Sequence, residues 1–121
     1  MRIAIGGMQK NEMEQEILKC CPDAQTIITN DMKAASMIKK GEVDYYIGAC
    51  ESGGGFAISI LIGLVGYNKC CTVCKNGGTP KKEEIEKFVN DGKVCFGMAV
   101  SQLDITVRVL MKVLMEHDSA K

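Results

Sequence analysis

Residues 43–66, VDYYIGACESGGGFAISILIGLVG, decide the fold. An apolar run meets a cysteine, a carboxylate and three successive glycines, after which apolar residues resume. Residues 43–49 have strand length and are rich in β-branched and aromatic side chains, whereas Phe56–Val65 is too long and too rich in Ala, Leu and Ile to be one more short strand. The reading is strand, tight loop, buried helix. Glycines at such a junction allow positive φ and let backbone N–H groups approach a ligand, and the helix start adds partial positive charge. Ser52, Gly53, Gly54 and Gly55 therefore outline an anion site. The rival reading of the glycines is a tight turn with close helix packing.

Upstream, residues 2–5 form a short apolar strand ending in Gly6 and Gly7. A helix follows from Asn11 as cap, with Met13, Ile17 and Leu18 on one face and Pro22 closing it. Residues 24–29 make a second strand, and Asn30 or Asp31 caps a helix over 32–40 that Gly41 ends. Downstream, residues 69–74 make a fourth strand. Thr79 as cap, Pro80 at the first helical position and Glu83 and Glu84 in the first turns then predict a helix stopped by Gly92. Residues 94–100 are a fifth strand and residues 101–117 a long terminal helix.

Strand and helix alternate five times, which predicts a single α/β domain: a three-layer, doubly wound, Rossmann-like sheet of five mostly parallel strands. The expected strand order is 2-1-3-4-5, with the pocket where the order reverses between strands 1 and 3. That rule places Gly7 and Gln9, Ser52 to Gly55, and Asn76 against a ligand, with Asn30, Asp31, Lys75, Ser101 and Gln102 on the same rim. Cys50 and Glu51 are the candidate catalytic groups. A helix N-terminus favours the thiolate of Cys50 and a desolvated Glu51 could act as acid or base; the plainer alternatives are a buried small residue and a solvated carboxylate.

Composition narrows the partners. The 15 basic and 15 acidic side chains among 121 residues cancel, and the absence of tryptophan leaves six aromatics, so neither a nucleic-acid field nor a base-stacking platform is present. Seven cysteines, an odd number with no leading signal segment, predict a cytoplasmic protein with reduced thiols. The longest uncharged apolar segment, residues 53–68, falls short of the run of about 20 that spans a bilayer. No cofactor is expected, since a dinucleotide fingerprint and a Walker loop are both missing. No metal is expected either: Cys71 and Cys74 have CxxC spacing, but in an extended strand they point to opposite faces. Phe56–Val65 is apolar nearly all round and the terminal helix on more than one face, which predicts a homodimer through one or both.

Asp44, Cys50, Gly53, Gly55, the apolar helix after them and the cysteine-containing strand at 69–74 resemble the core of the ribose-5-phosphate isomerase B family, as does the opening MRIAIGG. The resemblance implies that Cys50 is a proton-transferring base and that Gly53 to Gly55 hold the enediolate oxygen. The Asp-His pair with which that family opens the sugar ring is replaced here by Gly7, Met8 and Gln9, and the only histidine is His117. The whole chain also resembles the small bacterial family of the YhfU proteins, which share the first strand, the SGGG loop and this length. Members' genes lie beside those of a phosphotriesterase-like hydrolase and a membrane transporter, which implies the handling of a small metabolite. Two functions stay open: isomerase-type proton transfer next to a carbonyl of an anionic or sugar-phosphate substrate, or a non-catalytic metabolite-binding module or accessory subunit of a small catabolic pathway.

Overall fold

The computed structural model describes residues 1–52 and 56–120. The expectations resting on Gly53, Gly54 and Gly55 lie outside the described residues. The elements in chain order are β1 (Arg2–Gly7), α1 (Lys10–Cys20), β2 (Gln25–Ile28), α2 (Asp31–Lys39), β3 (Tyr45–Cys50), α3 (Phe56–Val65), β4 (Cys70–Cys74), α4 (Lys82–Asn90), β5 (Cys95–Ala99) and α5 (Leu103–Ser119). Four parallel pairings join the strands into one sheet with helices on both faces, the expected α/β architecture.

The strand order is β2-β1-β3-β5-β4, so the expected order is corrected at its far end. The cause lies in the strands themselves. All residues of β5 are buried, whereas Cys71 and Thr72 in β4 are only half-buried and exposed Lys69 and Lys75 flank that strand. A strand with no polar side wants a neighbour on each edge, and the more polar one tolerates the sheet margin. With β5 inserted beside β3, the connection from β4 runs backwards and carries α4 to the opposite face. The reversal between β1 and β3 is retained.

Each face of the sheet has its own core. On one, α1, α4 and α5 cover Ile3, Ile5, Tyr45, Ile47, Phe96 and Met98. On the other, α2 and α3 cover Ala4, Tyr46, Cys70 and Cys95. Because α5 lies against both α1 and α4, Leu103, Val107, Leu110, Met111, Val113 and Leu114 are all buried within the protomer. This accounts for most of its apolar surface, while Ile105 and Met115 remain exposed. Among the described residues, no helix is long and apolar enough to cross a membrane.

Two start signals differ from expectation. Asn11 lies inside α1, whose N-cap is Gln9 in the left-handed conformation (φ 50°). Thr79 and Pro80 precede α4, whose N-cap is Lys81: that residue is extended (φ −111°, ψ 118°), and the first helical bond runs from the Ile85 N–H to the Lys81 carbonyl at 3.0 Å. Asn30 caps α2 as expected, its Oδ1 accepting from the Lys33 N–H at 2.8 Å.

Candidate functional site

Parallel strands direct all their carboxyl ends to one edge, and there β1 and β3 lie side by side, with Gly7 opposite Ala49. Gly7 has φ +75°, and a Cβ there would collide with the Ala49 carbonyl. Its glycine is thus required by the approach of the two strands. The next residue, Met8, donates its N–H to the same carbonyl at 2.7 Å. Gln9 is exposed on the rim, where it lines a cavity of about 280 Å³ with Glu12, Ser101, Gln102 and Asp104. Two carboxylates make that cavity a poor receiver of anions.

Cys50 closes β3, almost fully buried, with its Sγ 4.0 Å from Ser52 Oγ. Glu51 and Ser52 are exposed. The Ser52 carbonyl accepts the Asn76 N–H at 3.0 Å, and Asn76 Oδ1 accepts from Ser101 Oγ at 3.0 Å. The loops after β3, β4 and β5 are therefore tied together at the rim, although Ser52, Asn76 and Ser101 are far apart in sequence. Of the residues expected at the site, Cys50, Ser52 and Asn76 are brought together, while Gln9 stands on the α5 side of the edge.

A second arrangement was not foreseen. The Tyr46 hydroxyl donates to Asp31 Oδ1 at 2.6 Å, linking the start of β3 to the first turn of α2. Its tip lies over Gly6 and Gly48: a Cβ on Gly6 would stand 2.8 Å from the hydroxyl, and one on Gly48 closer still. Burial, and then the Asp31 carboxylate, push the Tyr46 phenol far above its ordinary range, so it stays a proton donor. Strand alternation puts Tyr46, Gly48 and Cys50 on one face, the one that α2 and α3 cover, and Asp31 opens α2 above Tyr46. The readable signal was a bulky tyrosine beside Gly6 and Gly48.

The CxxC pair departs from expectation. The pairing of β4 with β5 shifts between Thr72 and Cys74, and this irregularity turns Cys74 to the side where Cys71 packs. Even so, among the described residues no group of three or more His, Cys, Asp and Glu is placed to hold a metal ion. None of the seven cysteines forms a disulfide.

The fold is similar to that of solved type B ribose 5-phosphate isomerases. The Trypanosoma cruzi enzyme superposes with a TM-score of 0.72 at 12% identity, covering 94% of this chain and 84% of that one. The Giardia lamblia enzyme gives 0.71 at 10% identity, covering 94% of both chains, and that of Clostridium thermocellum 0.65 at 17% identity, covering 99% and 95%. At such identities the likeness concerns the fold. Residues 1–114 match the family described as "Protein of unknown function DUF2620", and the chain belongs to that family. Escherichia coli "Uncharacterized protein YhfU" is 40% identical over 111 residues, 91% of this chain and 95% of the relative, and the Shigella flexneri protein of that name matches equally.

Proposed function

We propose that this chain binds a small anionic metabolite, a sugar phosphate being the first class to test, at the loops following β1 and β3, and that it moves a proton next to the ligand's carbonyl. The observation that carries this reading is the position of Cys50, which ends β3 at the reversal of strand order, beside Ser52. As a thiolate, Cys50 would take the proton from the carbon adjacent to the carbonyl and return it to the neighbouring carbon. The N–H groups of Gly53, Gly54 and Gly55 would hold the developing oxyanion. Glu51, the alternative base, follows Cys50 directly and is exposed, so it would need desolvation by the bound ligand to act.

The chain differs from an aldose isomerase after β1, where Met8 and Gln9 stand in place of a ring-opening acid–base pair and Gly7 is occupied with Ala49. This favours a substrate that presents an open carbonyl. It also sustains the second reading, in which the same loops bind the metabolite without turnover. A thermal-shift screen of inorganic phosphate, sugar phosphates and small carboxylic acids tests the site on wild type and Gly54→Val. A ligand at 100 times its Kd adds about 2.7 kcal/mol of stability. The expected result is a raised melting temperature in wild type that vanishes in a folded Gly54→Val protein; a flat screen contradicts the site.

The homodimer is proposed through α3. Leu64 is exposed there and Met32 on α2 more so, the two flanking a groove of about 350 Å³. Sedimentation at micromolar concentration checks it, with a monomer as the contrary result.

A further inference from the structure

The register of the sheet places Tyr46 opposite Cys95 and Cys95 opposite Cys70, in one row under α3. Residues so paired in a parallel ladder have Cα atoms about 4.8 Å apart, inside the window of about 4.4–6.8 Å that a disulfide spans. Both thiols belong to the same face of the sheet and both are buried.

Cys70 also has an approach from outside. With Ile58, Ile62 and Cys71 it lines a cavity of about 250 Å³ on the free edge of β4, whose mouth carries the highly exposed Tyr67. Lys93 stands in that mouth, its Nζ 3.5 Å from the Tyr67 carbonyl and 5.5 Å from the centre of the ring. The neighbours differ in reactivity. The Cys95 thiol and, more weakly, the Lys93 ammonium favour the thiolate of Cys70, against burial, whereas burial pushes the Cys71 thiol up to about 12.

We propose that Cys70 and Cys95 are a redox-convertible dithiol, closed to an intrachain disulfide by a hydroperoxide that enters through the β4-edge cavity. In the first step the Cys70 thiolate attacks the terminal peroxide oxygen. An S–O bond forms, the O–O bond breaks, and the departing alkoxide takes a proton to leave as alcohol. In the second, the Cys95 sulfur attacks the sulfenic sulfur; the S–S bond forms, the S–O bond breaks, and hydroxide leaves with the Cys95 proton as water. Two thiols lose two electrons, and the hydroperoxide is reduced to alcohol and water. Nothing in this cycle depends on the function proposed for the carboxyl edge.

The test treats the native protein with equimolar tert-butyl hydroperoxide, alkylates it after denaturation and maps the peptides. The expected product is about 2 Da lighter, joins Cys70 to Cys95, and retains 7 − 2 = 5 of the seven thiols. Seven intact thiols, a first disulfide between other residues, or a link between two chains overturns the proposal. In Cys95→Ala, Cys70 should halt as sulfenic acid and be trapped by dimedone; absence of the adduct in a folded variant counts equally against it. The wild-type map decides alone if that variant does not fold.

Discussion

The two faces of this sheet are built differently. On the α1/α4/α5 face, Phe96, Ile47, Met98 and Leu110 belong to an apolar core spanned by three helices, with α5 at its centre. On the α2/α3 face the sheet presents Ala4, Tyr46, Cys95 and Cys70 beneath two helices, and the alternation of β3 adds Cys50. The larger apolar cluster lies on the first face, which also buries Tyr45 and Cys74, whereas on the second the sheet's inward side chains are mostly small or polar: Ala4, Tyr46, Cys70, Cys95 and Cys50. A single strand can serve both because its residues alternate, as Cys95 and Phe96 do in β5.

Adjacent substitutions in β5 give the sharpest test. Phe96→Ala should cost about 3–5 kcal/mol in urea denaturation, against about 1 kcal/mol for Cys95→Ala, since a phenyl ring leaves a far larger cavity than a thiol. Equal costs would break the contrast between the faces. Gly48→Val ranks next, at roughly 3 kcal/mol, because its branched side chain must displace the Tyr46 hydroxyl; near-wild-type stability would mean that the tyrosine tip does not rest there.

Tyr46→Phe should cost about 1–3 kcal/mol by leaving the Asp31 carboxylate without its donor. The pH dependence has a definite sign. Folding raises the phenol pKa, through burial and then Asp31, so this contribution is fully present below the unfolded value near 10 and is lost as pH rises above it. Wild type should therefore lose more stability than Tyr46→Phe above pH 10, and parallel curves in an alkaline titration would refute the assignment. The smallest effect has the opposite sign. Thr106 on α5 is fully buried and its hydroxyl has no hydrogen-bond partner among the described residues, so Thr106→Val should gain about 1 kcal/mol by calorimetry. A loss would show that the hydroxyl has a partner.

The elements could be read from local signals because the signals were local. Phe56–Val65 has the expected bounds, and Asn30 caps α2 through its own side chain. The order of β4 and β5 was hidden because it depends on which strand is buried on both faces, a property of the assembled sheet. The same holds for α5, much of whose apolar surface is covered by α1 and α4 while Ile105 and Met115 stay exposed. At the site, Cys50 and Ser52 were legible from spacing. Tyr46 and Asp31 were not, since their hydrogen bond spans 15 residues and depends on the neighbouring Gly6 and Gly48.

The central claim concerns Cys50, and the most direct measurement is exchange of solvent deuterium into a ligand found in the thermal-shift screen. Proton NMR in heavy water would follow the hydrogen on the carbon next to the carbonyl, with wild type and Cys50→Ala in parallel. The account predicts exchange by wild type and, in a Cys50→Ala protein that still binds the ligand, a rate lower by at least 100-fold, in line with loss of a general base worth about 10²–10⁴. Equal exchange by the two proteins, or none by a wild type that binds, would contradict it.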